Sequence, residues 1–321
     1  MITADNYDSI FDKQGKLRRL KDMTASFAGV CRPTKVHRLR KFIVENLELV
    51  KSRYSSEREP QHAAISDIMQ IIKRSSAKSV LTCVASDFHG RSGDFKLLDN
   101  WLNMLEHVRP DKVILNGDIL DGESVSRYDP VAPISWPDEL ELAANMLRRI
   151  RRAVGDKAAI HWIDGNHEQR YYIYLAKNAP AIAANAAKLS DLLPMRDLSI
   201  QYHTHRQYVL LPHGMHVQHR YAVNPVAGVS AVRSMAKLGG SIMIGDTHRV
   251  GSSHILDRGG PRVGYEIGCM CKLDAGYAYE HGVNWQNGFM MVRHHGQDML
   301  PEYNQVVAHS ARFAFEGVVY E

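Results

Sequence analysis

No apolar run in this 321-residue chain approaches the roughly 18 residues that a membrane-spanning helix needs, which argues against a bilayer span. Cysteine is scarce. Cys31, Cys83, Cys269 and Cys271 show no framework spacing, and Cys269-Met270-Cys271 is too tight for half of a zinc knuckle. All four read as reduced thiols. The first residues, Met1-Ile2-Thr3-Ala4-Asp5, bring in an acid early and contain no apolar core. No secretory signal is therefore expected, and a cytoplasmic location is. Internal repeats and long low-complexity tracts are also missing. What remains is the composition of a soluble globular protein, 45% hydrophobic and 23% charged, long enough for one large domain with a small appendage.

The formal net charge of +5 is unevenly placed. Residues 1–78 hold 16 Lys and Arg against 9 Asp and Glu, and residues 79–321 hold 24 against 26. The basic excess thus belongs to the N-terminal segment, which suits an anionic partner there or simply a solvated helical face. Residues 52–62 are polar, contain Pro60 and read as a linker, and a short helix is expected over 65–72. These features divide the chain into a basic helical segment (1–51), a linker with a short helix (52–78) and a main domain (79–321).

From Ser79 the texture alternates. Ser79–Ala85 and Lys112–Asn116 are apolar, β-branched runs suited to buried strands, and Ala158–Ile163 is a third. Between them, Phe95–Val108 carries apolar residues at helical spacing. Pro137–Val154 has proline and acids in its first turn and arginines in its last, as the helix dipole favours. The second half reads mostly as strands, at 208–211, 241–244, 252–256, 264–267, 288–292 and 314–318, with one clear helix over 225–238 and an alanine-rich helical stretch over 180–193. The expected fold is layered α/β, with a second, mixed sheet facing the first.

Five clusters of metal-ligand residue types stand in order, each after a strand-like run. They are Asp87-Phe88-His89, Gly117-Asp118-Ile119-Leu120-Asp121, Gly165-Asn166-His167-Glu168, His213-Gly214 and Gly245-Asp246-Thr247-His248. The carboxyl ends of strands are where open α/β sheets gather ligands. Asp87 and His89, if they continue the strand, point to one side and can clasp one cation. Asp118 can bridge two cations. Asn166 offers a neutral oxygen, and His213 and His248 offer imidazole nitrogens. Mixed oxygen and nitrogen donors suit Mn, Fe or Zn. In the fourth cluster His213 is favoured and His216 is held in reserve. Asp121 serves either to orient a ligand or to cap a turn. Arg170 and Arg249 flank the motifs and suit either phosphate oxygens or surface ion pairs.

This ordered series resembles the calcineurin-like metallophosphoesterases over about residues 79–295. The resemblance implies a four-layer α/β/β/α sandwich with two divalent cations at the sheet edges, Mn being favoured and Fe, Zn or Mg being alternatives. By it, Asp87, His89 and His248 hold the first cation, Asn166, His213 and position 246 the second, and Asp118 bridges them. His167 is then the catalytic residue, facing the phosphate as general acid or charge stabiliser. Such a pair, roughly 3.5–4 Å apart, orients a phosphate ester and lowers the pKa of a shared water. The last motif departs from the family's usual Gly-His-x-His, because Asp246 stands where an imidazole is the rule. A carboxylate there shifts the second site toward Mn or Mg.

The segment Ala25–Arg38 resembles a helix-turn-helix, with Gly29 at the turn and Arg32, Lys35, His37 and Arg38 toward a DNA groove. A basic helical hairpin serves the same residues. The expected function is a dimetal phosphoesterase acting on phosphodiesters or phosphomonoesters, with nucleic acid as substrate or docking partner and a nuclease as one version. The alternative is a DNA-binding or scaffolding protein whose metal domain is largely inactive.

Overall fold

The computed structural model describes residues 79–127, 134–274, 283–296 and 301–321. The helix-turn-helix expected around Arg32, Lys35, His37 and Arg38, the linker and the helix over 65–72 lie outside the described residues.

Strand β1 (Ser79–Ala85) opens the domain and leads to helix α1 (Phe95–Val108), strand β2 (Lys112–Asn116), helix α2 (Trp136–Val154) and strand β3 (Ala159–Ile163). Each helix starts on a side-chain cap. Asp94 accepts from the Leu97 amide at 3.0 Å and Ser135 from that of Asp138 at 3.2 Å, caps of a type worth about 1 kcal/mol each. Helix α3 (Glu168–Asn178) and two single turns, α4 (Pro180–Ala183) and α5 (Leu189–Leu192), then lead to β4 (Ile200–His203). The second half contributes β5 (Val209–Leu211), β6 (Met215–Val217), α6 (Val229–Leu238), β7 (Ile242–Ile244), β8 (Val250–Asp257) and β9 (Gly260–Ile267). The chain then returns through β10 (Asn287–His295) and β11 (Glu302–Ala308) and ends in a hairpin, β12 (Phe313–Phe315) and β13 (Val318–Tyr320).

The strands form a six-stranded sheet, ordered β11-β10-β1-β2-β3-β4, and a five-stranded sheet, ordered β5-β6-β7-β9-β8. Alternation along β1 explains the layering. Leu81, Cys83 and Ala85 face α1 and α2, where Trp101, Leu105, Leu147 and Ile150 complete one core. Val84 faces the other way, with Ile114, Ile163, Met290 and Val292, onto Val209, Leu211, Met215, Val217 and Met243 of the second sheet. Ile242 and Ile244 turn outward to Met235 of α6. Helix, sheet, sheet and helix are thus held by three apolar interfaces, and the four-layer sandwich expected from the sequence is the fold. Strands β1, β2 and β3 are parallel in one sheet, and β6 and β7 in the other. Their carboxyl ends carry the loops that hold the candidate ligands.

Three sequence expectations need correction. The run at 314–318 is a hairpin rather than one strand, since Glu316 and Gly317 take positive φ between β12 and β13. The stretch 180–193 forms two isolated turns rather than a continuous helix. Strands β4, β6 and β11 escaped notice because they are short or carry polar residues at alternate positions.

Histidines also enter the faces between the sheets. His161 Nδ1 lies 3.0 Å from His203 Nε2. His294 is buried with neither ring nitrogen paired among the described residues. Burial, with Lys112 and His203 nearby, pulls His161 down to about 4. Burial also lowers His203 and, with His213, Lys112 and His295, lowers His294. Folded-state values below the unfolded one mean that the unfolded chain binds more protons in acid. The contribution of these three histidines to stability is therefore complete above about pH 6.5 and falls as the pH drops toward 4. Denaturant unfolding at a series of pH values will show this loss, and His161→Gln will flatten it.

Candidate metal centre

Each candidate side chain is delivered by a tight turn at a strand's carboxyl end. Strand β1 stops at Ala85, and Asp87 (φ 59°) and His89 (φ 54°) are left-handed. Their common direction thus comes from the turn rather than from a continued strand. Asp118 (φ 51°), Asp246 (φ 61°) and His248 (φ 54°) are left-handed too. Non-glycine residues in this region cost energy, and they persist where the surroundings over-determine them. Two glycines show how closely the loops meet. A Cβ on Gly165 would lie 2.0 Å from Asp118 Oδ1, and one on Gly245 would lie 2.0 Å from Ser86 Oγ and 2.8 Å from Asp87 Oδ2.

Buried carboxylates hold the turns. Glu168, at the start of α3, accepts from the amides of Asp118 (2.9 Å) and Gly165 (2.7 Å) on one oxygen and of Ile119 (2.8 Å) and Leu120 (3.0 Å) on the other. Glu139, in the first turn of α2, accepts from Asp121 and Gly122 at 2.5 and 2.6 Å. Both were passed over as part of a motif or as a helix-dipole acid. An acid two residues after a Gly-Asn pair is the local signal for Glu168. Glu139 has none, because its partners are distant in sequence.

The resulting cluster is dense. His248 Nε2 lies 3.2 Å from Asp87 Oδ1 and 3.0 Å from His89 Nε2, which is 3.8 Å from the same Asp87 oxygen. Asp118 Oδ2 lies 3.9 Å from His89 Nε2 on one side and 3.2 Å from His219 Nε2 on the other. His219 Nε2 is also 3.2 Å from Asn166 Oδ1. Asp118 Oδ2 thus neighbours His89 of the Asp87/His89/His248 group and His219 of the Asn166/His219 pair, with ligand atoms of Asp87, Asp118 and His219 also within 4.8 Å of one another, and its other oxygen accepts the His167 amide at 2.9 Å.

His213 does not join this cluster. It sits in the turn before β6, exposed, with its ring 6.4 Å from that of His294. His216, the reserve candidate, sits on β6 against Tyr208, with its Nδ1 at 3.1 Å from the Gly214 carbonyl. Strand β5 runs antiparallel to β6, so its carboxyl end points away from the site. Strand β6 runs parallel to β7 and delivers His219 beside Asp118. The usable signal was the apolar pair Met215 and Val217 flanking His216, a short strand with His219 just past its end.

Asp246 donates its amide to both Asp87 oxygens at 3.1 Å, while its carboxylate faces Arg220 Nε at 3.3 Å. Asp121 reaches two imidazoles, His167 Nδ1 at 3.1 Å and His89 Nδ1 at 3.4 Å, and accepts Ser92 Oγ at 3.0 Å. Arg170 donates to the Asp121 carbonyl at 2.7 Å and lies 3.0 Å from His167 Nε2. Arg249 instead turns to the Asn224 carbonyl, at 3.1 Å.

The electrostatics follow from crowding. Burial opposes ionisation, yet His248 and His219 hold the Asp87 carboxyl well below the usual range, and His219 and His167 do the same for Asp118. Conversely, burial lowers the imidazoles, but Asp118 and Asp87 lift His219 to about 10 and Asp87 lifts His248 to about 9. Imidazole nitrogens 3.0 Å apart and beside carboxylates need positive charge between them, supplied by protons or by a cation. The donor set of two carboxylates, an amide oxygen and three imidazoles fits divalent ions with mixed oxygen and nitrogen preference.

Two outcomes are expected. A cation entering the cluster must displace the protons on His219 and His248, so apparent affinity will rise between pH 6 and 8 with proton release. Calorimetric titration in buffers of different ionisation enthalpy measures this. Glu168→Gln, which replaces an acceptor oxygen by a donor, will destabilise the domain by about 2–4 kcal/mol in denaturant unfolding.

The chain also has relatives. It is 28% identical over 257 residues to the Gene 54 protein of Mycobacterium phage L5, covering 74% of this chain and 97% of that one. The Gene 54 protein of Mycobacterium phage D29 matches at 28% over 256 residues, with the same coverage. Among solved structures, Vps29 of Chaetomium thermophilum shares 11% identity at a TM-score of 0.42, over 75% of this chain and 98% of that one. That likeness is too distant to bear on activity. The family model for calcineurin-like phosphoesterases matches residues 81–253. This span is more than half of the chain and contains every residue of the cluster, and the protein belongs to the calcineurin-like phosphoesterase family.

Proposed function

We propose that the protein is a two-cation phosphoesterase that cleaves phosphodiester or phosphomonoester bonds. The position of the buried Asp118 carboxylate, with His89 on one side and His219 on the other, carries this reading. Asp87, His89 and His248 would hold one divalent cation, Asn166 and His219 the other, and Asp118 both. When bound, such a pair supplies Lewis acidity and a water of lowered pKa. Manganese is the favoured ion, given the mixed oxygen and nitrogen donors.

The chain's own residues supply the rest. His167 opens α3 beside the cluster and is more exposed, at 13%, than His89, His219 and His248, at 1%, 2% and 7%. Asp121 fixes its Nδ1, which leaves Nε2 toward Arg170 and the cleft, 3.9 Å from Asp118 Oδ2. In this position His167 can give a proton to a leaving oxygen, with Asp121 setting its tautomer. Arg170, half-buried at the same edge, can turn its guanidinium to a phosphate oxygen, which releases His167 Nε2 for proton transfer. Asp246 would contribute less than an imidazole, because one of its carboxylate oxygens is engaged by Arg220 Nε at 3.3 Å. The second cation is therefore held more weakly than the first.

A site assembled to this degree favours the enzyme over an inactive scaffold. The basic excess of residues 1–78 supports nucleic acid as substrate or docking partner, and a nuclease is one form of the reading. Binding would then weaken steeply with added salt.

Assays with bis-p-nitrophenyl phosphate and p-nitrophenyl phosphate in added Mn test the proposal. His167→Ala will lower kcat by about 100-fold or more while both cations remain bound. Equal loss of activity and cations would make His167 a ligand instead. His219→Ala will lose one cation per chain while His213→Ala keeps both, and Asp246→His will tighten the weaker site. Absence of hydrolysis of either ester, with two cations bound, would leave the scaffold reading.

A further inference from the structure

Three imidazoles of the cluster share one arrangement. His89, His219 and His248 all turn Nε2 inward, and each has its Nδ1 braced from behind. His89 Nδ1 meets the Asp121 carboxylate at 3.4 Å and His219 Nδ1 meets the Asn116 carbonyl at 2.5 Å. Among the described residues the partner of His248 Nδ1 is Cys271 Sγ, at 3.8 Å. We propose that Cys271 is a positioning residue for the first cation site, its sulfur accepting the Nδ1 hydrogen of His248 so that Nε2 faces Asp87 and its lone pair is free for the cation the two would share. This rests on the two-cation reading above.

The sulfur is held as firmly as the other two acceptors. Cys271 is buried, and its carbonyl accepts from Asn287 Nδ2 at 2.7 Å, an amide that also reaches the Cys269 carbonyl at 3.2 Å. The preceding Met270 amide donates to the carbonyls of Ser86 and Asp87, both at 3.1 Å, and its own carbonyl accepts from Asp94 at 3.0 Å. One short segment therefore ties the loop that carries Asp87 and His89 to the sulfur behind His248. From the other side, the Gln286 amide donates to the His248 carbonyl at 2.8 Å and the Trp285 ring lies 4.2 Å from the imidazole. The ring is boxed in, and the sulfur decides which nitrogen faces inward.

A competing role is direct ligation, since Cys271 Sγ and nitrogens of His89 and His248 lie within 4.8 Å of one another. The geometry argues against it. The nitrogen nearest the sulfur is Nδ1, whereas the nitrogen beside Asp87 is Nε2, so the imidazole stands between the sulfur and the carboxylates. Partners behind a ligand histidine fix its tautomer, and their loss typically costs about 10–100-fold in cation affinity.

The full chain, with Cys271→Ala and Cys271→Ser, is titrated with Co(II) and followed by absorption and calorimetry. Wild type should bind two cations without a sulfur-to-cobalt charge-transfer band in the near ultraviolet. Cys271→Ala should lose about 10–100-fold affinity at one site and keep the other, and Cys271→Ser, whose hydroxyl can accept the same hydrogen, should recover most of it. A charge-transfer band would make Cys271 a ligand and overturn the proposal. So would wild-type affinity at both sites in Cys271→Ala. No cation bound by wild type would instead overturn the two-cation reading. A crystal structure of metal-free Cys271→Ala separates the cases, because the His248 ring should rotate and move Nε2 away from Asp87. An unmoved ring would overturn the positioning role whatever the cation content.

Discussion

Four backbone N–H groups converge on the buried carboxylate of Glu168, three of them from the turn that carries Asp118 and one from the turn that carries Asn166 and His167. Without that carboxylate, the left-handed Asp118 and the close approach of Gly165 would have no counterweight. Glu139 does the same for Asp121 and Gly122. The sheets bring five loops to one edge, but these two acids from helix N-terminal turns set the geometry inside it. The site is thus a set of strained turns braced by buried anions, with the apolar layers as a frame. The acids add negative charge near Asp118, and burial with Asp118 nearby raises Glu168 above its usual range. A cationic partner for the cluster relieves that repulsion.

The layers were legible because their signals are local and strong. Runs such as Val80–Ala85 and Val113–Leu115 are apolar on both faces, and α2 announces itself by Pro137, its early acids and its late arginines. The order of the metal-ligand clusters was legible for the same reason, since each follows such a run. His219 was not. Its strand has only three residues, and the longer apolar run before it, ending at Leu211, points the other way. Nothing local distinguishes a strand that approaches the site from one that leaves it, because direction is fixed by pairing with β7. The bracing roles of Glu139 and Cys271 escaped for a related reason, since their contacts join residues 17 and 23 positions apart, and no spacing rule spans such a gap.

Several features converge on one chemical arrangement. Asp87, Asp118, His89, His219 and His248 present inward atoms, while Asp121, the Asn116 carbonyl and the Cys271 sulfur stand behind the imidazoles. His167 is the most exposed imidazole of the group, held to it through Asp121 and bordered by Arg170. With cations on the more buried donors and a proton on this histidine, the site would have the division of labour that the proposed hydrolysis of a phosphate ester requires. The departure at Asp246 leaves Asp118 and His219 in place, 3.2 Å apart.

If Asp118 joins two cations, as proposed, electron paramagnetic resonance of the Mn(II)-loaded protein will reveal it, because two manganese ions sharing a carboxylate couple magnetically. Wild type should give a spin-coupled dimanganese spectrum that collapses to isolated Mn(II) in Asp118→Asn. An isolated-ion spectrum from the fully loaded wild-type protein would contradict it.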